Sequence, residues 1–108
     1  MICIVAVPTK QFVQGELDQV RRIVLTGLRG CRARAYLFGS RARGNATRWS
    51  DVDVAVEPLE PLPEGLLSDI REALEESRVV YSVDLVDLSN ADAALRCEVR
   101  REGIAWTR

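Results

Sequence analysis

Hydrophobic residues recur at a helical period in two segments of the chain. Apolar side chains return every three to four positions over residues 9–28 and 64–77, which predicts two amphipathic helices, and capping residues predict a last helix over 91–101. The inward-facing positions that this period selects are Val13, Leu17, Val20, Val24 and Leu28 in the first helix and Leu66, Ile70, Ala73 and Leu74 in the second. The residues suited to capping are Thr9 at the first start, Ser89 or Asn90 at the last start, and Gly103 at the last end.

Short segments between these helices have the patterns of β-strands. Val52–Glu57 predicts a strand with one buried face, because Val52, Val54 and Val56 alternate with Asp51, Asp53 and Ala55. Ala33–Phe38 and Val79–Val86 predict two more strands, and Ile104–Trp106 predicts a short edge strand. Ile2–Val7 suits either a strand or an N-terminal extension. The order of elements predicts an α+β fold, a small mixed β-sheet with helices packed on one face.

Composition limits the class of protein. A chain of 108 residues, 47% hydrophobic and 29% charged, indicates a single folded domain over 1–108 and excludes intrinsic disorder. The longest apolar run, Ile2–Val7, is far shorter than the roughly 20 residues of a membrane span and lacks the flanks of a signal peptide. Three scattered cysteines are expected to be reduced thiols in a cytoplasmic protein. The absence of histidine excludes His-based general bases and nucleophile arrangements.

Charge is distributed unevenly, although the net charge is −1. Residues 21–48 carry eight arginines and no acidic residue. Residues 49–92 carry twelve acidic residues and two arginines, a net charge of −10 (2 − 12). A protein that binds nucleic acid directly is more often basic throughout, so direct nucleic-acid binding is disfavoured.

Three aspartates on predicted strands form a candidate metal site. Asp51 and Asp53 are two residues apart, so their side chains leave the same face of one strand. Carboxylates about 7 Å apart along a strand repel each other unless a cation joins them, and Mg²⁺ takes oxygen ligands. Asp84 lies on the Val79–Val86 strand and supplies a third carboxylate. An Asp-x-Asp pair alone is also common at the solvent-facing start of a strand.

A glycine and a serine follow the predicted strand Ala33–Phe38. A glycine at the end of a strand lets backbone N–H groups approach an oxyanion closely, and the hydroxyl of Ser40 adds a donor beside Gly39. Arg41 and Arg43 follow at once, although a solvated basic loop explains Arg41 equally well. A nucleoside triphosphate bound as its Mg²⁺ complex needs an oxyanion cradle beside a cation site, and the sequence predicts both together.

The segments that carry these residues resemble a known family. Leu37–Gly44 (LFGSRARG), Ser50–Asp53 (SDVD) and Val83–Val86 (VDLV) together resemble a minimal nucleotidyltransferase of the DNA polymerase beta superfamily. The shared pattern is Gly-Ser, ten residues, Asp-x-Asp and a third carboxylate on a later strand. The resemblance covers roughly residues 17–106 and leaves the apolar N-terminal run outside. It implies a nucleotidyltransferase-like fold that uses two Mg²⁺ ions and takes ATP as the default substrate.

The resemblance also implies a role for each matching residue. Asp51 and Asp53 are expected to bind both metal ions. Asp84 is expected to complete the catalytic-metal site and to help deprotonate the acceptor hydroxyl. The residues implied to bind the nucleotide are Gly39 and Ser40 at the β- and γ-phosphates, Arg43 at the same phosphates, and Ser50, which orders the turn into the strand.

A second aspartate, Asp87, competes with Asp84 for the third position. The two differ by an odd number of residues, so on a regular strand they point to opposite faces. Asp84 matches the position in the family and has apolar neighbours that fix the strand. Asp87 is nearer the strand end and is expected to be solvated.

Nucleotidyltransferases of this size are similar to the antitoxins of HEPN/MNT toxin–antitoxin pairs. The resemblance implies a type VII antitoxin that transfers AMP from ATP to a tyrosine of a HEPN-domain RNase toxin and silences it. A chain without a further substrate domain is expected to be completed by a partner protein.

Two alternatives stay open. One is nucleotidyl transfer to a small-molecule hydroxyl, as in aminoglycoside-modifying members of the superfamily. The other is a non-catalytic antitoxin that occludes its partner, against which stands the complete set Ser40, Asp51, Asp53 and Asp84. A homo-oligomer is also left open, because Trp106 and the N-terminal run each suit either a core or an interface.

Overall fold

The structure, a computed structural model, describes residues 9–44, 51–77, 79 and 82–107, with side chains from residue 17 onward. The N-terminal apolar run and Ser50 lie outside the described residues. No helix in the described ranges is long and apolar enough to cross a membrane. The elements in chain order are α1 (Thr9–Gly27), β1 (Ala33–Phe38), α2 (Ser40–Arg43), β2 (Val52–Pro58), α3 (Leu66–Glu76), β3 (Val83–Asp87), a 3-10 turn (Leu88–Asn90), α4 (Ala93–Glu102) and β4 (Ile104–Ala105).

The four strands form one mixed sheet in the order β3-β2-β1-β4. Strand β1 pairs antiparallel with both β2 and β4, whereas β2 and β3 run parallel. This confirms the predicted α+β fold with a small mixed sheet and the predicted edge position of β4. Asp53 in the middle of the sheet has Phe38 as its partner on one side and Asp84 on the other.

The two faces of the sheet are covered by different helices. Val52, Val54 and Val56 are fully buried on the face that α1 and α3 cover. On the opposite face Phe38 packs with the buried Val99 of α4. The two long helices therefore share one face, as expected, while α4 lies on the other face. The period of α4 marks its apolar side but contains no information about which face of the sheet that side covers.

Several boundaries and burial assignments differ from the expectations. Ala73 of α3 is exposed, and the described part of β3 begins at Val83 rather than at residue 79. Trp106 is buried in the core that α1 and the sheet share. Of the two interpretations of this residue, a core position and an interface position, the structure supports the core position. Gly103 closes α4 as expected, with its N–H bonded to the carbonyl of Val99.

Helix α4 begins two residues later than predicted because another residue caps it. The carboxylate of Asp92 accepts a hydrogen bond of 2.9 Å from the N–H of Leu95, the geometry of an N-cap. Ser89 and Asn90, the expected caps, lie instead in the 3-10 turn. Several neighbouring residues are able to cap this helix, and tertiary packing determines which of them does so.

Candidate active site

Asp53 lies at the centre of the candidate site. It faces Asp84 across the parallel pair of β2 and β3, and Asp51 directly precedes β2. Neighbouring strands lie about 4.8 Å apart, and paired residues share a face of the sheet, so the carboxylates of Asp53 and Asp84 leave the same face. The pairing places Asp84 beside Asp53, and Asp51 lies two residues before Asp53 along the chain.

Gly39 brings the end of β1 against the Asp53 carboxylate. Its φ of 77° lies in the left-handed region, which side chains other than glycine rarely adopt. A Cβ added there would overlap Oδ2 of Asp53. The carbonyl of Gly39 accepts hydrogen bonds of 3.1 Å from the N–H groups of Ala42 and Arg43, so the chain turns at once into α2. The glycine therefore allows the turn and the close approach at the same position.

The surroundings of Asp53 disfavour its charged form. Burial raises the pKa of this carboxyl above its usual value, and the negative charges of Asp84, Asp51 and Glu98 raise the pKa further, in that order. The guanidinium of Arg43 opposes them and lowers the pKa. The site thus concentrates negative charge around one half-buried carboxylate, an environment that attracts a cation.

Glu98 is a member of this charge cluster that sequence analysis missed. It lies on α4, directly before the buried Val99, and is itself half-buried. Its placement depends on α4 packing against the face of the sheet that carries Asp53, and no local pattern predicts that packing. The one signal in the sequence is the spacing of Glu98 and Glu102, which lie one helical turn apart on the same side of α4.

Arg43 links the glycine turn to α4. Its Nη1 lies 3.4 Å from Oε2 of Glu102, and both side chains are partly exposed, 42% and 32%. Ser40 and Arg41 are half-buried in the same short helix. The contact with Glu102 and the action on the pKa of Asp53 place the Arg43 guanidinium beside the carboxylate cluster.

Asp84 and Asp87 have different environments. The pairing of β2 with β3 is regular from Val52 opposite Val83 to Val56 opposite Asp87, so the two aspartates point to opposite faces. The carboxylate of Asp87 accepts hydrogen bonds from the N–H of Ser89 at 2.9 Å and from its hydroxyl at 2.6 Å. Asp87 therefore caps the 3-10 turn instead of being simply solvated, whereas the Asp84 side chain is exposed.

The donor set fits Mg²⁺ in its chemistry. The ligands on offer are carboxylate oxygens, which hard divalent cations prefer, and burial together with the charges of Asp84, Asp51 and Glu98 raises the pKa of Asp53. In the ranges that the structure describes, no three acidic or cysteine side chains are gathered closely enough to hold a metal ion as they stand. Carboxylates that repel one another stay apart unless a cation joins them.

Comparison with known proteins gives one family and several similar structures. Residues 33–106, which include both strands of the site, match the family "Polymerase beta, Nucleotidyltransferase". Over 66 residues the chain is 35% identical to the probable protein adenylyltransferase MntA of Haemophilus influenzae. The aligned residues make up 61% of this chain and 58% of that protein. The chain thus spans a little over half the length of this curated relative.

Two solved structures are similar over most of the chain. One is a toxin–antitoxin with AMP-PNP, with a TM-score of 0.64 and 30% identity over 81% of this chain and 72% of the other. Another, described as a minimal nucleotidyltransferase, has a TM-score of 0.66 and 32% identity over 83% of this chain and 92% of the other. The shared fold, the matched range and the Gly-Ser and Asp-x-Asp segments that meet at Asp53 all agree, and the chain belongs to the polymerase beta nucleotidyltransferase family.

Proposed function

We propose that this chain is a Mg²⁺-dependent protein adenylyltransferase that moves AMP from ATP to a tyrosine hydroxyl of a HEPN-type RNase toxin, and so acts as its antitoxin in the cytoplasm. The observation that carries the proposal is the close approach of Gly39 to Asp53, with Asp84 beside it, in a chain of this family. One contact joins the phosphate cradle to the carboxylate cluster. Cys31 and Cys97 are free thiols, which fits a reducing compartment.

The reaction joins an acceptor oxygen to the α-phosphorus of ATP. The bond between that phosphorus and the oxygen bridging to the β-phosphorus breaks, pyrophosphate leaves, and the hydroxyl proton passes to a base. When bound, Mg²⁺ neutralises the phosphate oxygens and stabilises the attacking and leaving oxygens. Asp51 and Asp53 would hold the metal ions, and Asp84 would complete the catalytic-metal site and accept the proton.

The protein supplies position and charge at the phosphates. Gly39 keeps the backbone close to the carboxylates, and Ser40 adds a hydroxyl donor. Arg43 offers a charge-assisted contact to the β- and γ-phosphates in place of its partly exposed contact with Glu102. Because the Asp53 carboxylate lies against Gly39, the phosphates and the metal ions would be held by one rigid junction of β1 and β2.

Similar proteins support the choice of partner. The structure with AMP-PNP is a toxin–antitoxin complex, and a second complex, MntA–HpeT, has a TM-score of 0.66 and 26% identity over 83% of this chain and 71% of the other. The curated relative is named a protein adenylyltransferase. A protein acceptor is therefore favoured over a small-molecule hydroxyl.

The decisive experiment is transfer of label from ATP to a purified HEPN-domain protein. Label on the α-phosphate should appear on a tyrosine of the partner when Mg²⁺ is present, and label on the γ-phosphate should not. Asp53→Asn should abolish the transfer. Inhibition of the toxin without any label on it would favour the non-catalytic antitoxin. Transfer to an aminoglycoside, but not to the protein, would favour the small-molecule enzyme.

A further inference from the structure

In the described part of the chain, strand β3 forms one edge of the sheet and lies beside the candidate catalytic residues. The sheet order ends at β3, and no strand of the described part of the chain lies beyond it. The N–H of Val52 donates to the carbonyl of Ser82 at 2.9 Å. In a parallel pair, alternate residues of each strand bond to the same neighbour, so Val83 and Leu85 turn their N–H and C=O groups away from β2.

One of these outward groups already has a side-chain partner. Nη2 of Arg71 donates a hydrogen bond of 2.9 Å to the carbonyl of Leu85. This bond confirms which way Leu85 faces and closes the edge at that end. The N–H and C=O of Val83 and the N–H of Leu85 remain directed to the open side, next to Asp84.

A groove of about 430 Å³ runs along this edge under α3. Its walls include Arg71, Leu74 and Glu75 from α3 and residues Ser82, Val83 and Asp84 from the strand. The groove thus combines an open backbone edge with some apolar surface, and the carboxylate of Asp84 leaves the opposite face of the sheet at the same edge. A segment lying in it would be held within reach of the reacting groups.

The charge of α3 indicates which kind of segment would bind in the groove. Among its eleven residues are four acidic side chains and one arginine, a net charge of −3 (1 − 4), and that arginine is the one bonded to Leu85. A second copy of this chain, paired edge to edge, would bring two such acidic helices together and be repelled. A basic extended segment would be attracted.

Resting on the proposed function, we propose that the groove between α3 and the edge of β3 binds an extended, basic segment of the acceptor protein by β-strand addition. Backbone groups of Val83 pair with the segment, and Glu75 attracts its basic side chains. A tyrosine placed across from Asp84 shares the face of the sheet that carries Asp53. The edge therefore sets the register that brings the acceptor hydroxyl to the site.

A short synthetic peptide that alternates arginine and valine around one tyrosine tests the groove without nucleotide. In an NMR titration of the full chain, the amides of Val83 and Leu85 should shift and become protected from hydrogen exchange. The same peptide with glutamate for arginine should bind at least about tenfold more weakly. Equal binding of the two peptides, shifts confined to α4, or dimerisation of the chain alone through β3 would overturn the proposal.

Matched variants separate the backbone edge from its side chains. Val83→Pro removes the outward N–H, which the pairing with β2 does not use, and proline is tolerated on edge strands. It should weaken peptide binding about tenfold, while Val83→Ala changes it by less than about twofold. Glu75→Arg should weaken binding about tenfold, and Glu76→Arg, which changes the same charge outside the groove, should weaken it less. Binding that Val83→Pro leaves intact would contradict strand addition.

A transfer assay distinguishes this proposal from the proposed function. Val83→Pro should raise the KM for the partner protein about tenfold and leave the affinity for Mg²⁺–ATP unchanged. Transfer to the partner that Val83→Pro does not alter would overturn the groove and leave the proposed function standing. Peptide binding in the groove without any transfer to a protein would support the groove and overturn the proposed function.

Discussion

The carboxylate of Asp53 fills the space where a side chain on Gly39 would begin. A Cβ on Gly39 would overlap Oδ2 of Asp53, and the φ of 77° is unfavourable for any other residue. Position 39 is therefore restricted for two separate reasons, one from the backbone and one from the neighbouring strand. The two reasons can be separated by experiment, because other glycines of the chain share only the first.

Gly39→Ala should abolish nucleotidyl transfer, because the added methyl must displace the Asp53 carboxylate. The positive φ should cost about 1 to 2 kcal/mol of stability in addition. Gly65→Ala is the matched control, since its φ is 81° and nothing lies within 4 Å of its Cβ position. We expect Gly65→Ala to lose only the backbone contribution in thermal unfolding and to keep transfer, and Gly39→Ala to lose more stability and also to lose transfer. Full transfer by Gly39→Ala would contradict the close approach.

The raised pKa of Asp53 predicts a pH dependence of stability with a definite sign. A carboxyl whose pKa is higher in the folded than in the unfolded state stabilises the fold when protonated, and this contribution is lost as the pH rises through the folded pKa. Without divalent cations, wild-type protein should lose stability relative to Asp53→Asn as the pH rises above the usual pKa of an aspartate and through the raised pKa of Asp53. Thermal unfolding at several pH values measures the difference.

Addition of Mg²⁺ extends the same experiment. At neutral pH the cation should raise the melting temperature of the wild type, because it relieves the repulsion among Asp53, Asp51 and Asp84. Asp53→Asn should respond much less. An equal response of both proteins would place the metal ion elsewhere.

The strands, and the placement of Asp53 and Asp84 on them, could be predicted because their signals are local. The period of two in β2 places Asp51 and Asp53 on one face, and Ala33–Phe38 has the observed bounds of β1. The charge of Glu98 beside Asp53 could not be predicted, because it depends on how α4 packs across the sheet. The capping of α4 by Asp92 was missed for a different reason, since several nearby residues are suited to the same role.

Arg43→Ala should lower the rate of nucleotide use about a hundredfold, because one charge-assisted donor to phosphate is lost. Arg101→Ala is the control, since Arg101 contacts the same partner, Glu102, at 3.7 Å but is 72% exposed. We expect Arg101→Ala to behave as wild type in steady-state kinetics. A fully active Arg43→Ala beside an inactive Arg41→Ala would assign the phosphates to the other arginine.

Glu98→Gln should lower the pKa of Asp53 toward its usual value, because one of the negative charges that raise it is removed. The weaker field should also raise the Mg²⁺ concentration needed for half-maximal transfer, by up to about fivefold. NMR titration of the Asp53 carboxyl carbon measures the first effect directly. Glu98→Asp keeps the charge, so the pKa of Asp53 and the Mg²⁺ concentration for half-maximal transfer should stay close to those of the wild type. If Glu98→Asp behaves like Glu98→Gln instead, Glu98 has a packing role.

Asp84→Asn should leave Mg²⁺–ATP binding largely intact, because Asp51 and Asp53 can still hold the ion that accompanies the triphosphate. Transfer should nonetheless collapse, since the acceptor hydroxyl loses the group that activates it. ATP affinity and transfer rate, measured at one Mg²⁺ concentration, give the two results separately. Loss of both together would mean that Asp84 is needed already for nucleotide binding.

Asp87 provides the control on the same strand and tests its register. Asp87→Asn should transfer AMP normally and keep its stability, because asparagine caps the N–H of Ser89 as well as aspartate does. Asp87→Ala should lose about 1 kcal/mol of stability through the lost cap, again without loss of transfer. These two variants separate a structural carboxylate from a catalytic one three residues away. An inactive Asp87→Asn beside an active Asp84→Asn would require β3 to be shifted by one residue, against the regular pairing of Val52 with Val83.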